Sequence, residues 1–145
     1  MKQSTIIIDS SIIAKWFLED EEEKESTLKI KEDYLQGDIS IALPSITFYE
    51  VSNFLKMAVS RLRIEKHSAY NAYKRFLEFD FEVYFSNELL EANIYEAITH
   101  NITSYDASYV VLAEYLKIPF YTADRKLLQK TKGEYVYHLR EYLLK

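Results

Sequence analysis

The 145-residue sequence predicts an α/β fold, a parallel sheet covered by helices on both faces. Three observations lead there. Short apolar runs alternate with longer helix-patterned segments along the chain, as in successive strand–helix–strand units. The first run, Ile6-Ile7-Ile8, is apolar without a break, as in a strand buried on both sides. Asp9 stands at its carboxyl end, followed by Ser10 and Ser11, and ligands of open parallel sheets gather just beyond such ends.

The elements follow in order. After Asp9, residues Ile12, Ile13, Trp16 and Phe17 recur at helical spacing. The acidic run from Glu19 to Glu25 reads as a solvated surface stretch. A helix is expected over 26–36 with Leu28, Ile30 and Leu35 partly inward, and Gly37 sits where a helix ends. Residues 39–43 alternate as a strand, and Pro44 is expected near the first turn of a helix over 45–63. Ile46, Tyr49, Phe54, Leu55, Met57, Ala58 and Leu62 are its apolar positions, and Glu50 lies in its second turn among Phe48, Tyr49 and Val51.

A helix over 66–79 places Tyr70, Tyr73, Phe76 and Leu77 on one side. A short strand over 82–85 leads to a helix over 87–100 with Leu89, Leu90, Ile94 and Ala97 inward. Thr103 or Ser104 caps the next helix and puts Asp106 in its first turn, where the helix dipole favours an anion. A strand over 118–122 precedes Asp124 and a short helix over 125–130; a strand over 135–137 and a helix over 139–144 complete one domain, 1–145.

Composition narrows the function. Two glycines and two prolines indicate compact elements with short connections. With no cysteine, disulfides, thiolate metal sites and cysteine nucleophiles are excluded, and a reducing cytoplasm is the expected compartment. No apolar run suits a signal peptide or a bilayer span, so no membrane association is expected. A net charge of −5 argues against a protein that coats nucleic acid by bulk attraction, but not against a nuclease whose carboxylates a cation neutralises.

Four acids then stand out. Asp9 and Asp124 end or follow strands, Asp106 opens a helix, and Glu50 lies early in a helix that starts at a strand's end. In a parallel sheet all four positions fall at one edge. Like charges about 4 Å apart repel by about 4 kcal/mol at an effective dielectric of about 20, so such a cluster calls for a hard divalent cation, Mg²⁺ or Mn²⁺. Such an ion activates water and offsets charge on phosphate oxygens. The histidines, His67, His100 and His138, fall on or at the ends of helices and read as surface residues. Lys15, Arg125 and Lys126 lie close in sequence to the acids and are candidates for phosphate contact. Tyr49, Phe54, Tyr70 and Tyr73 are candidates for an association surface.

The blocks Ile-Ile-Ile-Asp-Ser-Ser, Tyr-Glu-Val-Ser-Asn, Ser-Tyr-Asp-Ala-Ser-Tyr-Val-Val-Leu-Ala and Tyr-Thr-Ala-Asp-Arg-Lys-Leu, in that order, resemble the PIN-domain ribonucleases. The group they resemble is the VapC-type toxins of toxin–antitoxin pairs. The resemblance implies a three-layer α/β/α fold with a five-stranded parallel sheet. It implies a Mg²⁺/Mn²⁺-dependent endoribonuclease acting on RNA, a homodimer, and a small antitoxin protein as partner. It maps the acidic quartet onto Asp9, Glu50, Asp106 and Asp124, with Asp9, Asp106 and Asp124 on the metal and Ser10 and Thr122 as hydroxyl residues beside the acids. Two rivals remain. One is a non-catalytic binding module of the same fold, which the intact acid set disfavours. The other is a phosphoryl-accepting domain, which needs paired acids after the first strand and a strand-end lysine that this sequence lacks.

Overall fold

The computed structural model describes residues 3–18 and 22–144. Five strands form one parallel sheet in the order β3-β2-β1-β4-β5. They are β1 (Ser4–Ile8), β2 (Ile39–Pro44), β3 (Glu82–Tyr84), β4 (Phe120–Thr122) and β5 (Val136–His138). The isoleucine run is therefore the central strand. The chain builds outward from β1 through β2 to β3, then returns to lay β4 against the other side of β1. This makes β1/β4 the switch point, where open α/β sheets leave a crevice beyond the strand ends.

Seven helices are described: α1 (Ser10–Lys15), α2 (Lys24–Gln36), α3 (Ile46–Ser60), α4 (Lys66–Leu77), α5 (Asn87–His100), α6 (Ser104–Leu116) and α7 (Arg125–Thr131), with a 3₁₀ segment, Leu139–Leu144, at the end. Strand side chains alternate between faces, and the core divides accordingly. Ile6, Ile8, Ile41 and Leu43 pack under α1 to α4 and the 3₁₀ segment, whereas Ile7, Ala42 and Phe120 pack under α6 and α7. The expected three layers and five parallel strands are thus the observed architecture.

Local chemistry explains the element ends. Asp9, Ser86, Thr103 and Asp124 each accept a backbone N–H at a helix start. Gly37 ends α2 in the left-handed region at φ 81°. Pro44 closes β2 rather than opening α3, which suits a residue with no N–H to donate.

Leu28 and Leu35 on α2, expected partly inward, are exposed, and so are Leu77 on α4 and Leu62 beyond α3. Tyr49 and Phe54 on α3 and Tyr70 on α4, candidates for an association surface, are exposed as well. These helices carry apolar residues around much of their circumference, so the period does not single out a face. The largest departure is α5. It buries Asn93 and Glu96 against its neighbours, while Ile94, Tyr95 and Ile98 are 60%, 72% and 75% exposed and Leu90 is exposed with them. Glu96 tolerates its position because His100 sits one turn on, with Nδ1 at 2.8 Å from its carboxylate. His100 is therefore half-buried, whereas His67 is exposed as expected.

Much of the aromatic richness goes into the core. Trp16, Phe17, Tyr34, Phe48, Tyr73, Phe76, Phe79 and Phe81 form one cluster, with Phe79 and Phe81 stacked at 5.5 Å. Of the acidic run, Glu19, Asp20 and Glu21 lie outside the described residues. Glu22 and Glu25 are exposed, and Glu23 accepts a 2.9 Å hydrogen bond from Arg140 Nε.

Candidate active site

Asp9 leaves the end of the central strand and caps α1, accepting the Ile12 N–H at 3.3 Å. The Ser11 hydroxyl donates to Oδ1, and the Thr122 hydroxyl donates to Oδ2 at 2.5 Å. Thr122 ends β4, the neighbouring strand, and is fully buried. Its oxygen in turn accepts the Asp124 N–H at 3.0 Å, and Asp124 caps α7 by accepting the Leu127 N–H at 3.1 Å. One threonine hydroxyl therefore ties both strand-end acids together across the switch point.

The other two acids arrive on helices. Glu50 Oε1 accepts the Tyr109 hydroxyl at 2.6 Å, and the Ser10 side chain favours the charged form of Glu50. Asp106 lies in the first turn of α6, its N–H held by the Thr103 hydroxyl at 3.0 Å. Asp106 and Asp124 face one open cleft of about 370 Å³ that Lys126 and Lys130 also line. Lys130 donates to the Asn101 carbonyl at 3.0 Å and draws Asp106 toward its charged form.

Electrostatics couple the four. Burial pushes the Asp9 carboxyl up; hydrogen bonds from Ser11, Thr122 and Ile12 oppose this, and the Asp124 charge adds to it. Burial also raises Glu50, with the Tyr109 hydrogen bond opposing and the charges of Asp106 and Asp9 adding. Asp106 is raised by burial first, then by Asp124. Acids that raise one another through their charges form an anionic site with too little compensation from the protein itself.

Among the described residues no three Asp, Glu or His side chains converge closely enough to ligate one ion together. The donors are nevertheless all oxygen, the set that Mg²⁺ or Mn²⁺ prefers. Mg²⁺ commonly takes one or two carboxylates directly and keeps several waters, so a spaced, mutually repelling carboxylate set fits a hydrated ion.

The sequence-derived residues distribute as follows. Asp9, Glu50, Asp106 and Asp124 are mutually coupled, and Thr122 touches Asp9 as expected. Ser10 favours the charged form of Glu50, while the Ser11 hydroxyl donates to Asp9. Arg125 and Lys126 are exposed beside Asp124, and the Lys15 ammonium donates to the Glu22 carbonyl at 3.2 Å. Sequence reasoning passed over Ser11, Tyr109, Thr47 and Lys130. Helical spacing carried a signal for three of them: Tyr109 is three residues after Asp106, Thr47 three before Glu50, and Lys130 four after Lys126.

Fold and site together define a class: three-layer parallel α/β/α proteins with an all-oxygen anionic pocket at the switch point. The PIN domain model matches residues 6–133. Ribonuclease VapC3 of Pyrobaculum aerophilum is 28% identical over 127 residues, which cover 86% of this chain and 93% of the relative. Exonuclease VapC9 of the same organism is 33% identical over 93 residues, covering 64% and 68%. The crystal structure of PAE2754, again from Pyrobaculum aerophilum, superposes with a TM-score of 0.68 at 26% identity, covering 99% of this chain and 96% of that one. A toxin–antitoxin complex from Klebsiella pneumoniae shares the fold at 15% identity, with a TM-score of 0.63 and coverage of 92% and 97%. The chain belongs to the PIN-domain family and, within it, to the VapC group. PIN-domain nucleases in general depend on a divalent metal.

Proposed function

We propose that this protein is an endoribonuclease that hydrolyses RNA phosphodiester bonds with Mg²⁺ or Mn²⁺, as the toxin of a type II toxin–antitoxin pair in the cytoplasm. The observation that carries the reading is the electrostatic coupling of four carboxylates from four separate elements at the β1/β4 switch point. A relative named as a ribonuclease, matched over 93% of its length, supports it.

Asp9, Asp106 and Asp124 would hold the ion. When bound, the ion lowers the pKa of a coordinated water and offsets charge on the phosphate oxygens. The remaining work falls to side chains of this chain. Thr122 and Ser11 fix both oxygens of Asp9. Glu50, its carboxyl raised by burial and one oxygen held by Tyr109, accepts a proton from the attacking water. The water oxygen bonds to phosphorus, the bond to the 3′-oxygen breaks, and that oxygen takes a proton from solvent as it leaves, giving 5′-phosphate and 3′-hydroxyl ends. Lys126 and Lys130 line the cleft, Arg125 lies exposed beside Asp124, and the three serve phosphates on either side of the scissile bond. Lys15, already engaged by the Glu22 carbonyl, is the weakest candidate of the predicted cations.

Two partner surfaces accompany this reading. Between α3 and α4 runs an open groove of about 400 Å³ lined by Leu55, Val59, Ala69, Tyr70 and Tyr73, with Lys56 and Lys66 beside them. Its chemistry suits an amphipathic helical segment with acidic flanks, as a small antitoxin would supply. The outward apolar face of α5 suits a second copy of this chain, since a helix that buries Asn93 and Glu96 and exposes isoleucines keeps its apolar side for another surface.

A relative named as an exonuclease favours a second reading, end-dependent digestion. A closed circular RNA, incubated with Mn²⁺, separates them. Linearisation followed by fragmentation is expected. EDTA or Asp9→Asn abolishes it, and the protein encoded by a neighbouring small reading frame suppresses it. Degradation of linear RNA only would establish the exonuclease. Binding without any cleavage would establish a non-catalytic module.

A further inference from the structure

We propose that Tyr109 is a positioning residue for hydrolysis, setting the orientation of Glu50 through a hydroxyl chain that joins α3 to α6. The inference rests on the nuclease reading above and assigns a device within that same site. Tyr109 donates to Glu50 Oε1 at 2.6 Å, and the Thr47 hydroxyl lies 2.8 Å from the same phenol oxygen. The direction of both bonds follows from proton counting. An ionised carboxylate only accepts, so the single phenol proton goes to Glu50 and Thr47 must donate to Tyr109. The chain therefore runs Thr47 to Tyr109 to Glu50 with each proton assigned.

Its setting leaves little freedom. Tyr109 is 2% exposed, and its ring stacks on Phe120 of β4 at 5.3 Å and 15°. Phe120 precedes Thr122, the residue that bonds Asp9, by two positions on the same strand. Tyr109 also lies one turn after Asp106 on α6, and Thr47 one turn before Glu50 on α3. The phenol thus measures Glu50 against both the strand that holds Asp9 and the helix that carries Asp106. It engages one of the two carboxylate oxygens, Oε1. A ring needed only for packing would not need a hydroxyl that bonds Glu50 on one side and Thr47 on the other.

The test uses steady-state cleavage of an RNA oligonucleotide by the full chain with Mn²⁺. Tyr109→Phe keeps the ring and its stacking. It is expected to lower kcat by about 10- to 100-fold, with KM and the Mn²⁺ half-saturation within about 2-fold of wild type. Introduced into Glu50→Gln, the same change is expected to cost no more than about 2-fold, because its target is already gone. Thr47→Ser should retain activity and Thr47→Val should lose it in part, which reads the chain from its other end if Tyr109→Phe folds poorly. Wild-type kcat in Tyr109→Phe would overturn the proposal. So would an equal loss in the Glu50→Gln background, which marks a packing defect. If wild type cleaves and Glu50→Gln does not while Tyr109→Phe cleaves at the wild-type rate, this proposal falls and the nuclease reading stands. If wild type cleaves nothing, both fall.

Discussion

Asp9 occupies the position where the physics of the site is most concentrated. It caps a helix, ends the central strand, takes two hydroxyl hydrogen bonds and still has its carboxyl raised by burial. Glu50 and Asp106 are raised as well, from ordinary values of 4.5 and 3.8. For these groups the folded chain holds protons that the unfolded chain has released, so their contribution to stability is greatest below the ordinary carboxyl range and falls as pH rises through the raised values. In EDTA, Asp9→Asn should therefore gain melting temperature relative to wild type as pH goes from 4 to 7, since asparagine keeps the cap without the charge. Mn²⁺ at 100 times its dissociation constant should stabilise wild type by about 2.7 kcal/mol at pH 7, and Asp9→Asn by much less. A wild type that becomes steadily more stable than Asp9→Asn toward pH 7 without metal would contradict the electrostatic picture. At this scale the sequence was legible where one residue carries its own context: an acid after a buried strand, or Glu50 among aromatics. It was not legible where meaning comes from a distant partner, as for Tyr109, which lies 59 positions from Glu50.

Among the elements, strands were easier to read than helix faces. The continuous run of β1 and the alternation of β2 admit few interpretations, and every expected strand exists within one to three residues of its place. Amphipathic helices are another matter. α5 carries Leu90, Ile94 and Ile98 as an evenly spaced apolar stripe, and the stripe points away from the core. Its buried side is Leu89, Asn93 and Glu96, made tolerable by the Glu96–His100 pair, and no period marks a polar residue for burial when its partner lies on the same helix. The outward stripe carries the dimer reading. Sedimentation at micromolar concentration is expected to show a dimer for wild type and a monomer for Ile94→Glu, with the melting temperature of the monomer little changed because the position is exposed. A wild type that is only monomeric, or an unaltered dimer in Ile94→Glu, would remove α5 as the interface. Of the aromatic candidates on α3 and α4, Tyr70 and Tyr73 line the other groove, and Tyr73 spends its hydroxyl on the Phe48 carbonyl at 2.7 Å.

For the whole molecule, topology does what no segment does alone. Asp9 and Asp124 are 115 positions apart, yet the return of the chain from β3 to β4 sets their strands side by side, and α3 and α6 bring Glu50 and Asp106 to the same end. Alternation of strand and helix was enough to foresee a common edge, because parallel connection puts every strand's carboxyl end on one side. The strand order, and with it the identity of β1/β4 as the switch point, was not foreseeable from pattern, since it depends on which edge the returning chain chooses. Among the described residues no helix is long and apolar enough to cross a membrane. The central claim is that this edge is a divalent-cation site. Crystals soaked in MnCl₂ and measured at the manganese absorption edge test it most directly. The account predicts an anomalous peak between Asp9, Asp106 and Asp124 that disappears in Asp9→Asn; a peak elsewhere, or none at millimolar Mn²⁺, would contradict it.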